Sequence, residues 1–190
     1  MPHPADVILA SCSPQRRALL ARLGIEFTVR APDVAELEQG EDPAAVAVEN
    51  ALRKARACTR PGAHELVLGC DTIVALDGVI YGKPPDAATA RRTLQALAGR
   101  THEVLSGLAV LGPDAGERTA LACTKVTFRA LDTRQLDWYV AREEWRGRSG
   151  GYAIQGAGAR LVAAIDGEQE NVVGLPLGTL LELCPELLAR

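Results

Sequence analysis

Nothing in this chain of 190 residues supplies a disulfide framework, a membrane span or a broad basic surface. Its five cysteines, Cys12, Cys58, Cys70, Cys123 and Cys184, are odd in number, scattered and free of a C-x-x-C pair, so neither paired bridges nor a zinc site is indicated. Buried, reduced thiols in a cytoplasmic protein are the simplest account. No apolar run reaches spanning length, and no basic stretch followed by an apolar one opens the chain, so neither a membrane segment nor an export signal is expected. Lys and Arg number 21 against 24 Asp and Glu, a net charge of -3, which argues against a nucleic-acid or anionic-membrane surface. An anionic ligand must therefore be met by a local group of cations. The common nucleotide-binding fingerprints, G-x-x-x-x-G-K-[ST] and G-x-G-x-x-G, are missing, as are internal repeats and low-complexity linkers.

With 47% hydrophobic residues the chain can bury a sizeable core, and residues 1–190 are expected to form one domain. The most informative stretch is Ser11-Cys12-Ser13-Pro14-Gln15-Arg16-Arg17, which follows the apolar run Val7-Ile8-Leu9-Ala10. Ser13 reads as a helix N-cap and Pro14 as the first helical residue, with an apolar stripe at Leu19, Leu20 and Leu23 and a stop at Gly24. Arg16 and Arg17 then fall in the first turn, where the helix dipole is positive and unpaired N–H groups already seek negative charge. Cations belong there if an anion joins them, and a strand, a hydroxyl-rich turn and a basic helix start make a phosphate cradle. The alternative is that both arginines point sideways into water.

The remaining pattern alternates strand and helix and then becomes strand-rich. Strands are expected at 6–10 and 26–30, then an acidic loop through Asp33, Glu36, Glu38, Glu41 and Asp42 and an alanine-rich helix over 43–58 opened by Pro43. Residues 66–76 read as a buried strand turned at Asp77-Gly78 into Val79-Ile80-Tyr81, whose tip carries Gly82-Lys83-Pro84. Asp86 caps a further helix, two long strands cover 101–111 and 119–130 around the turn at Gly112 to Gly116, and a helix comes next near 133–143. A glycine-rich stretch at 147–158, a hairpin turned at Asp166-Gly167 and a final helix interrupted at Pro185 complete the chain. The expected class is α/β: a mixed twisted sheet flanked by helices, with two lobes around a central cleft.

Several groups carry chemistry. Asp71 lies in a strand that otherwise reads as buried, where a carboxylate must be paired, hydrogen-bonded or metal-bound to stay ionised, and Thr72 beside it adds a hydroxyl. Lys83 sits on a constrained tip where backbone can approach a ligand closely. Asn50 and Lys54 share one helix face at i,i+4, a spacing that in most helices merely solvates the surface. Gln155 places an amide among glycines, able to donate to and accept from the edge of a base. Each signal taken singly also has a structural explanation.

Together and in order, Ser11 to Arg17, Lys54-Ala55, Gly69-Cys70-Asp71-Thr72, Gly82-Lys83-Pro84, Gly99-Arg100-Thr101-His102, Gly151-Tyr152-Ala153-Ile154-Gln155-Gly156 and Asn171 to Leu177 resemble the Maf family of nucleoside triphosphate pyrophosphatases over nearly the whole chain. That resemblance implies an inosine-triphosphatase-like fold, often dimeric. It also implies a house-cleaning enzyme that splits a nucleoside triphosphate between the α and β phosphates with the help of Mg²⁺ or Mn²⁺. By motif, Ser11, Ser13 and Arg16 would hold phosphate with Thr72 beside them, Lys54 and Lys83 would contact phosphates, Asp71 would be base or metal ligand with Glu36 as its acidic companion, and Gln155 would contact base or sugar. Gln15 stands where the dTTP/UTP branch resembles S-x-S-P-R-R, and Arg148 stands where a lysine is usual, while Asp71-Thr72 and Y-x-I-Q-G look like that branch. A dTTP/UTP pyrophosphatase is therefore expected, the alternatives being a 7-methyl-GTP or ITP-type enzyme and a non-catalytic nucleotide-binding regulator.

Overall fold

The computed structural model describes residues 6–113 and 116–189, and within it a mixed sheet carries helices on its faces. Strands β1 (Asp6–Ala10), β2 (Thr28–Val29), β3 (Glu65–Leu76), β4 (Val79–Tyr81), β5 (Thr101–Gly112), β6 (Gly116–Phe128) and β7 (Val162–Asp166) are ordered β2-β1-β3-β5-β6-β7, with β4 on β3. β1 runs parallel to β2 and β3, and the other pairings are antiparallel. The helices are α1 (Pro14–Ala21), α2 (Pro43–Cys58), α3 (Ala87–Leu97), α4 (Thr133–Val140), α5 (Gln169–Val173) and α6 (Leu177–Leu183). Among the described residues no helix is long and apolar enough to cross a membrane. Asp114 and Ala115, expected in the turn between β5 and β6, lie outside the described residues.

Local chemistry explains most boundaries. Ser13 caps α1, its hydroxyl accepting from the Arg16 amide, and Asp42 caps α2 by accepting from Ala44 with Pro43 at the first turn. The β3–β4 turn takes positive φ at both Asp77 (52°) and Gly78 (76°), the conformation an Asp-Gly pair is suited to. Leu9, Leu20, Leu68, Leu108 and Leu180 pack one part of the core, and Leu94, Val126, Phe128, Tyr139 and Trp145 another.

Close seating of α2 on the sheet sets the position of the polar groups it carries. The helix turns a stripe of small residues, Ala47, Ala51 and Ala55, onto the strands. Opposite that stripe stand Gly69 and Gly107, where an added Cβ would lie 2.2 Å from the carbonyl oxygens of Ala51 and Ala47 respectively. The helix backbone thus rests almost directly on the sheet, closer than any side-chain layer would allow.

One expected element differs. Asp166-Gly167 does not turn a hairpin: β7 pairs with β6, and the chain then enters α5. Glu168 decides this, because its carboxylate accepts from the amides of Gly178 and Thr179 and from the Thr179 hydroxyl, while its carbonyl accepts from Thr124. The turn of α5 then delivers Asn171 to the core, where it donates to the Val104 carbonyl. β2 is also shorter than expected, and 30–41 is irregular, which leaves the acidic loop free to fold over α2.

Candidate active site

Strand β3 has two partners on one edge, and they do not meet. β1 pairs with it as far as Gly69, and β4 begins only at Val74, so Asp71 and Thr72 occupy the gap. There the chain leaving the end of β1 turns into Ser11 to Ser13 and α1, the kind of opening at the carboxyl end of parallel strands where α/β sheets hold ligands. Successive residues of a strand face opposite ways, so Asp71 meets α2 while Thr72 meets α1.

On the α2 side, the Asp71 carboxylate is shared. Lys54 Nζ lies 2.6 Å from Oδ1, and Asn50 Nδ2 donates to Oδ2 at 3.0 Å. All three side chains are buried. The Lys54 ammonium also lies 2.6 Å from Glu36 Oε1, and Lys83 Nζ reaches Glu36 Oε2 at 3.2 Å. Partial burial pushes the Glu36 carboxyl up, but the hydrogen bonds and charges of Lys54 and Lys83 outweigh it and hold its pKa at about 2. Asn50 links this group to the acidic loop by accepting from the Leu37 amide at 2.7 Å and donating to the Leu37 carbonyl at 3.0 Å.

On the α1 side, Arg16 turns into the cleft and Arg17 is exposed. The Arg16 guanidinium donates to the Gly174 carbonyl from Nε at 2.8 Å, to Thr72 Oγ1 at 3.1 Å and to Ser11 Oγ at 3.4 Å. Thr72 Oγ1 is 2.8 Å from Ser106 Oγ on the neighbouring strand, and Ser149 donates to the Thr72 carbonyl. The fork is therefore set from three directions before any anion arrives.

These groups line one cleft of about 360 Å³. Ser11, Ser13, Arg16, Glu36, Lys54, Asp71, Thr72 and Lys83 all face it, so the structure brings together eight of the nine residues singled out in the sequence. Gln155 is exposed and is not among the lining residues. Arg148 adds a fourth cation to Arg16, Lys54 and Lys83, against the two carboxylates of Glu36 and Asp71, so the cleft is electropositive inside an acidic protein. Val74, Val104, Tyr152, Val172 and Val173 supply an apolar share of the wall.

Sequence reasoning gave no site role to three contributors: Asn50, set down as a helix residue beside Lys54 of the kind that merely solvates a surface; Gly174, seen only as part of the Asn171 to Leu177 motif; and Ser106, which left no signal. His102, with no metal-ligand spacing in the sequence, is buried and bonds through Nε2 to the Tyr152 hydroxyl at 2.9 Å.

The chain matches the family model for Maf-like protein over residues 6–187. It is 48% identical over 181 residues to a dTTP/UTP pyrophosphatase of Moorella thermoacetica, covering 94% of this chain and 93% of that one. It is 46% identical over 180 residues to a dTTP/UTP pyrophosphatase of Myxococcus xanthus, covering 93% and 90%. Among solved structures, a HAM1 protein from Coxiella burnetii superposes with a TM-score of 0.53 at 16% identity, over 98% of this chain and 100% of the other, a likeness of fold. With the Ser11 to Arg17 cradle, the Asp71-Thr72 gap and a match running almost end to end, the chain belongs to the family of Maf-like proteins.

Proposed function

We propose that this chain hydrolyses dTTP, UTP and related or modified pyrimidine nucleoside triphosphates to the monophosphate and pyrophosphate, keeping the nucleotide pool clean. The observation that carries the reading is the Lys54 ammonium held at 2.6 Å from both Asp71 and Glu36, with Arg16 and Lys83 in the same cleft. Two carboxylates among several cations suit a reaction in which one group accepts a proton while others neutralise growing negative charge. Relatives 48% and 46% identical carry the name dTTP/UTP pyrophosphatase, which supports the choice of base.

The α-phosphorus is attacked in line by water, the bond to the bridging oxygen of the β-phosphate breaks, and pyrophosphate leaves with the bonding pair. Asp71 takes the proton of the attacking water, its orientation fixed by Asn50 and Lys54. Arg16, Lys54 and Lys83 neutralise charge on the departing pyrophosphate. Ser11 and Ser13 position phosphate, and the apolar wall offers the base a surface. The donor set fits a divalent ion that enters with the triphosphate: two carboxylates face the cleft, and among the described residues no group of three or more His, Cys, Asp or Glu is assembled to hold an ion alone. With Asp71 as the base, Glu36 would hold Mg²⁺ or Mn²⁺ together with the phosphates, and the ion when bound supplies further neutralisation of phosphate charge.

A turnover assay with either ion over dTTP, UTP, CTP, 5-methyl-UTP, 7-methyl-GTP, GTP and ITP, counting pyrophosphate separately from orthophosphate, tests the reading. Pyrophosphate formed fastest from dTTP or UTP is the expected result. A preference for 7-methyl-GTP or ITP would reassign the substrate, and tight binding without product would leave a nucleotide-binding regulator.

A further inference from the structure

Away from the cleft, the surface between the end of β6, α4 and the short 3-10 segment Ala157–Leu161 holds a hollow of about 400 Å³. Its wall carries three exposed guanidinium groups, Arg129, Arg134 and Arg160, and one carboxylate, Asp132. Asp132 is already engaged as the α4 cap, accepting from the Gln135 amide at 2.8 Å. Among the described residues eight other arginines are ion-paired to carboxylates, yet none of these three is. The floor is formed by Leu131, Leu161 and Trp138, whose ring is already stacked by two guanidinium groups, Arg142 at 3.6 Å and Arg160 at 4.4 Å from its centroid.

We infer that this hollow is a second, non-catalytic binding site for a nucleoside polyphosphate, Arg129 and Arg134 taking the phosphates and the flat Arg160–Trp138 stack, with Leu131 and Leu161, taking the base. The chemistry selects that class. Three cations against one carboxylate in one concavity of a chain whose net charge is -3 leave a surplus of positive charge that a multiply charged anion relieves. A bare anion uses only the rim, whereas the floor rewards a ligand with a flat apolar body. None of these side chains lines the catalytic cleft, so the site stands whether or not the proposed hydrolysis does.

Equilibrium dialysis of the full chain with α,β-methylene-UTP, which resists cleavage between the α and β phosphates, counts the sites. Two per chain are expected. Arg16→Ala should remove the cleft site and keep the second. Arg134→Ser combined with Arg160→Ser should weaken only the second, by tenfold or more, with turnover of dTTP at low concentration within twofold of the parent. In parallel, the Trp138 indole N–H resonance, assigned by its loss in Trp138→Phe, should shift on titration of the Arg16→Ala protein. No site left in the Arg16→Ala protein, or an unmoved Trp138 resonance, overturns the assignment. Inorganic pyrophosphate binding the Arg16→Ala protein as tightly as the nucleotide would overturn the part given to the floor. A short oligothymidylate binding more tightly than the mononucleotide would transfer the surface to nucleic acid.

Discussion

Asn50 donates to Asp71 from α2, Nδ2 to Oδ2 at 3.0 Å, while the same amide exchanges two hydrogen bonds with the backbone of Leu37. One buried side chain therefore ties the carboxylate in the sheet to the loop that carries Glu36. Asn50→Ala leaves a buried carboxylate oxygen and both Leu37 backbone groups short of a partner. The expected cost is about 1–3 kcal/mol of stability, with a fall in kcat on the order of tenfold as Asp71 loses its orientation. Urea unfolding and steady-state kinetics on the same preparation check both. A variant that unfolds earlier yet keeps full kcat would confine Asn50 to a structural role.

Lys54, a buried cation, stands between Asp71 and Glu36 and pairs with both. Replacing it with methionine keeps most of the apolar stem and removes the charge, leaving two facing carboxylates. Breaking a buried pair in this way costs about 3–5 kcal/mol. The titration of Glu36 should move as well. In the parent its pKa of about 2 lies below the ordinary value of 4.5, so its contribution to stability is present above pH 4.5 and disappears as pH falls toward 2. Without Lys54, burial acts against only the weaker pull of Lys83, and the carboxyl should titrate well above its parent value. Carbon-detected NMR of the Glu36 carboxyl reads this directly, and an unmoved titration would mean that Lys54 is not what holds it down.

Much of this arrangement is written in short-range signals. Ser13-Pro14, Asp42-Pro43 and Asp77-Gly78 fix where α1, α2 and the β3–β4 turn begin, because each acts on its own backbone. Arg16 and Asp71 stand out because a cation at a helix start and a carboxylate in an apolar strand are each costly without a partner, whereas Lys54 and Lys83 read singly as solvated lysines and gain a role only from the family motifs around them. Long-range contacts are not legible in the same way. Asp166-Gly167 reads as a hairpin turn until Glu168 is seen holding the start of α6 and Asn171 is seen reaching Val104. Asn50 looks like a solvated helix residue because its partner is 21 positions away. The amide of Gln155 suits a base edge on chemistry alone, and only the path of the chain places it outside the cleft lining.

Gly107 tests how far the site depends on the seating of α2. It pairs across the sheet from Asp71, beneath the helix, and a Cβ there would lie 2.2 Å from the Ala47 carbonyl oxygen. Backbone has no rotamer with which to escape, so Gly107→Ala must lift α2 or bend β5. Overpacking of this kind costs about 1–3 kcal/mol. Because Asn50 and Lys54 ride on the same helix, their bonds to Asp71 should lengthen, and activity should fall by more than the lost stability explains. A thermal melt and kcat at a temperature where the variant is fully folded separate the two effects. Full activity in the folded variant would show that the site tolerates the displacement.

His102 makes stability depend on pH from within the core. Its ring is buried against Phe128 and Tyr152, Nε2 bonds to the Tyr152 hydroxyl, and Nδ1 has no hydrogen-bond partner among the described residues. Burial lowers its pKa from 6.5 to about 4, so between those values the unfolded chain binds a proton that the folded chain refuses. Stability must then fall as pH drops from about 6.5 toward 4, by up to about 3 kcal/mol. Acidic side chains also titrate in this window, so the test is a difference: His102→Gln keeps a hydrogen-bonding group for Tyr152 but cannot take up the proton. Urea unfolding at intervals between pH 4 and 7 should show a shallower decline in the variant, by close to one proton at the midpoint, whatever its absolute stability. Equal slopes would assign the acid sensitivity to the carboxylates alone. A shallower slope would mean that the same neutral imidazole that bonds the Tyr152 hydroxyl adds its own share to the acid sensitivity of the fold.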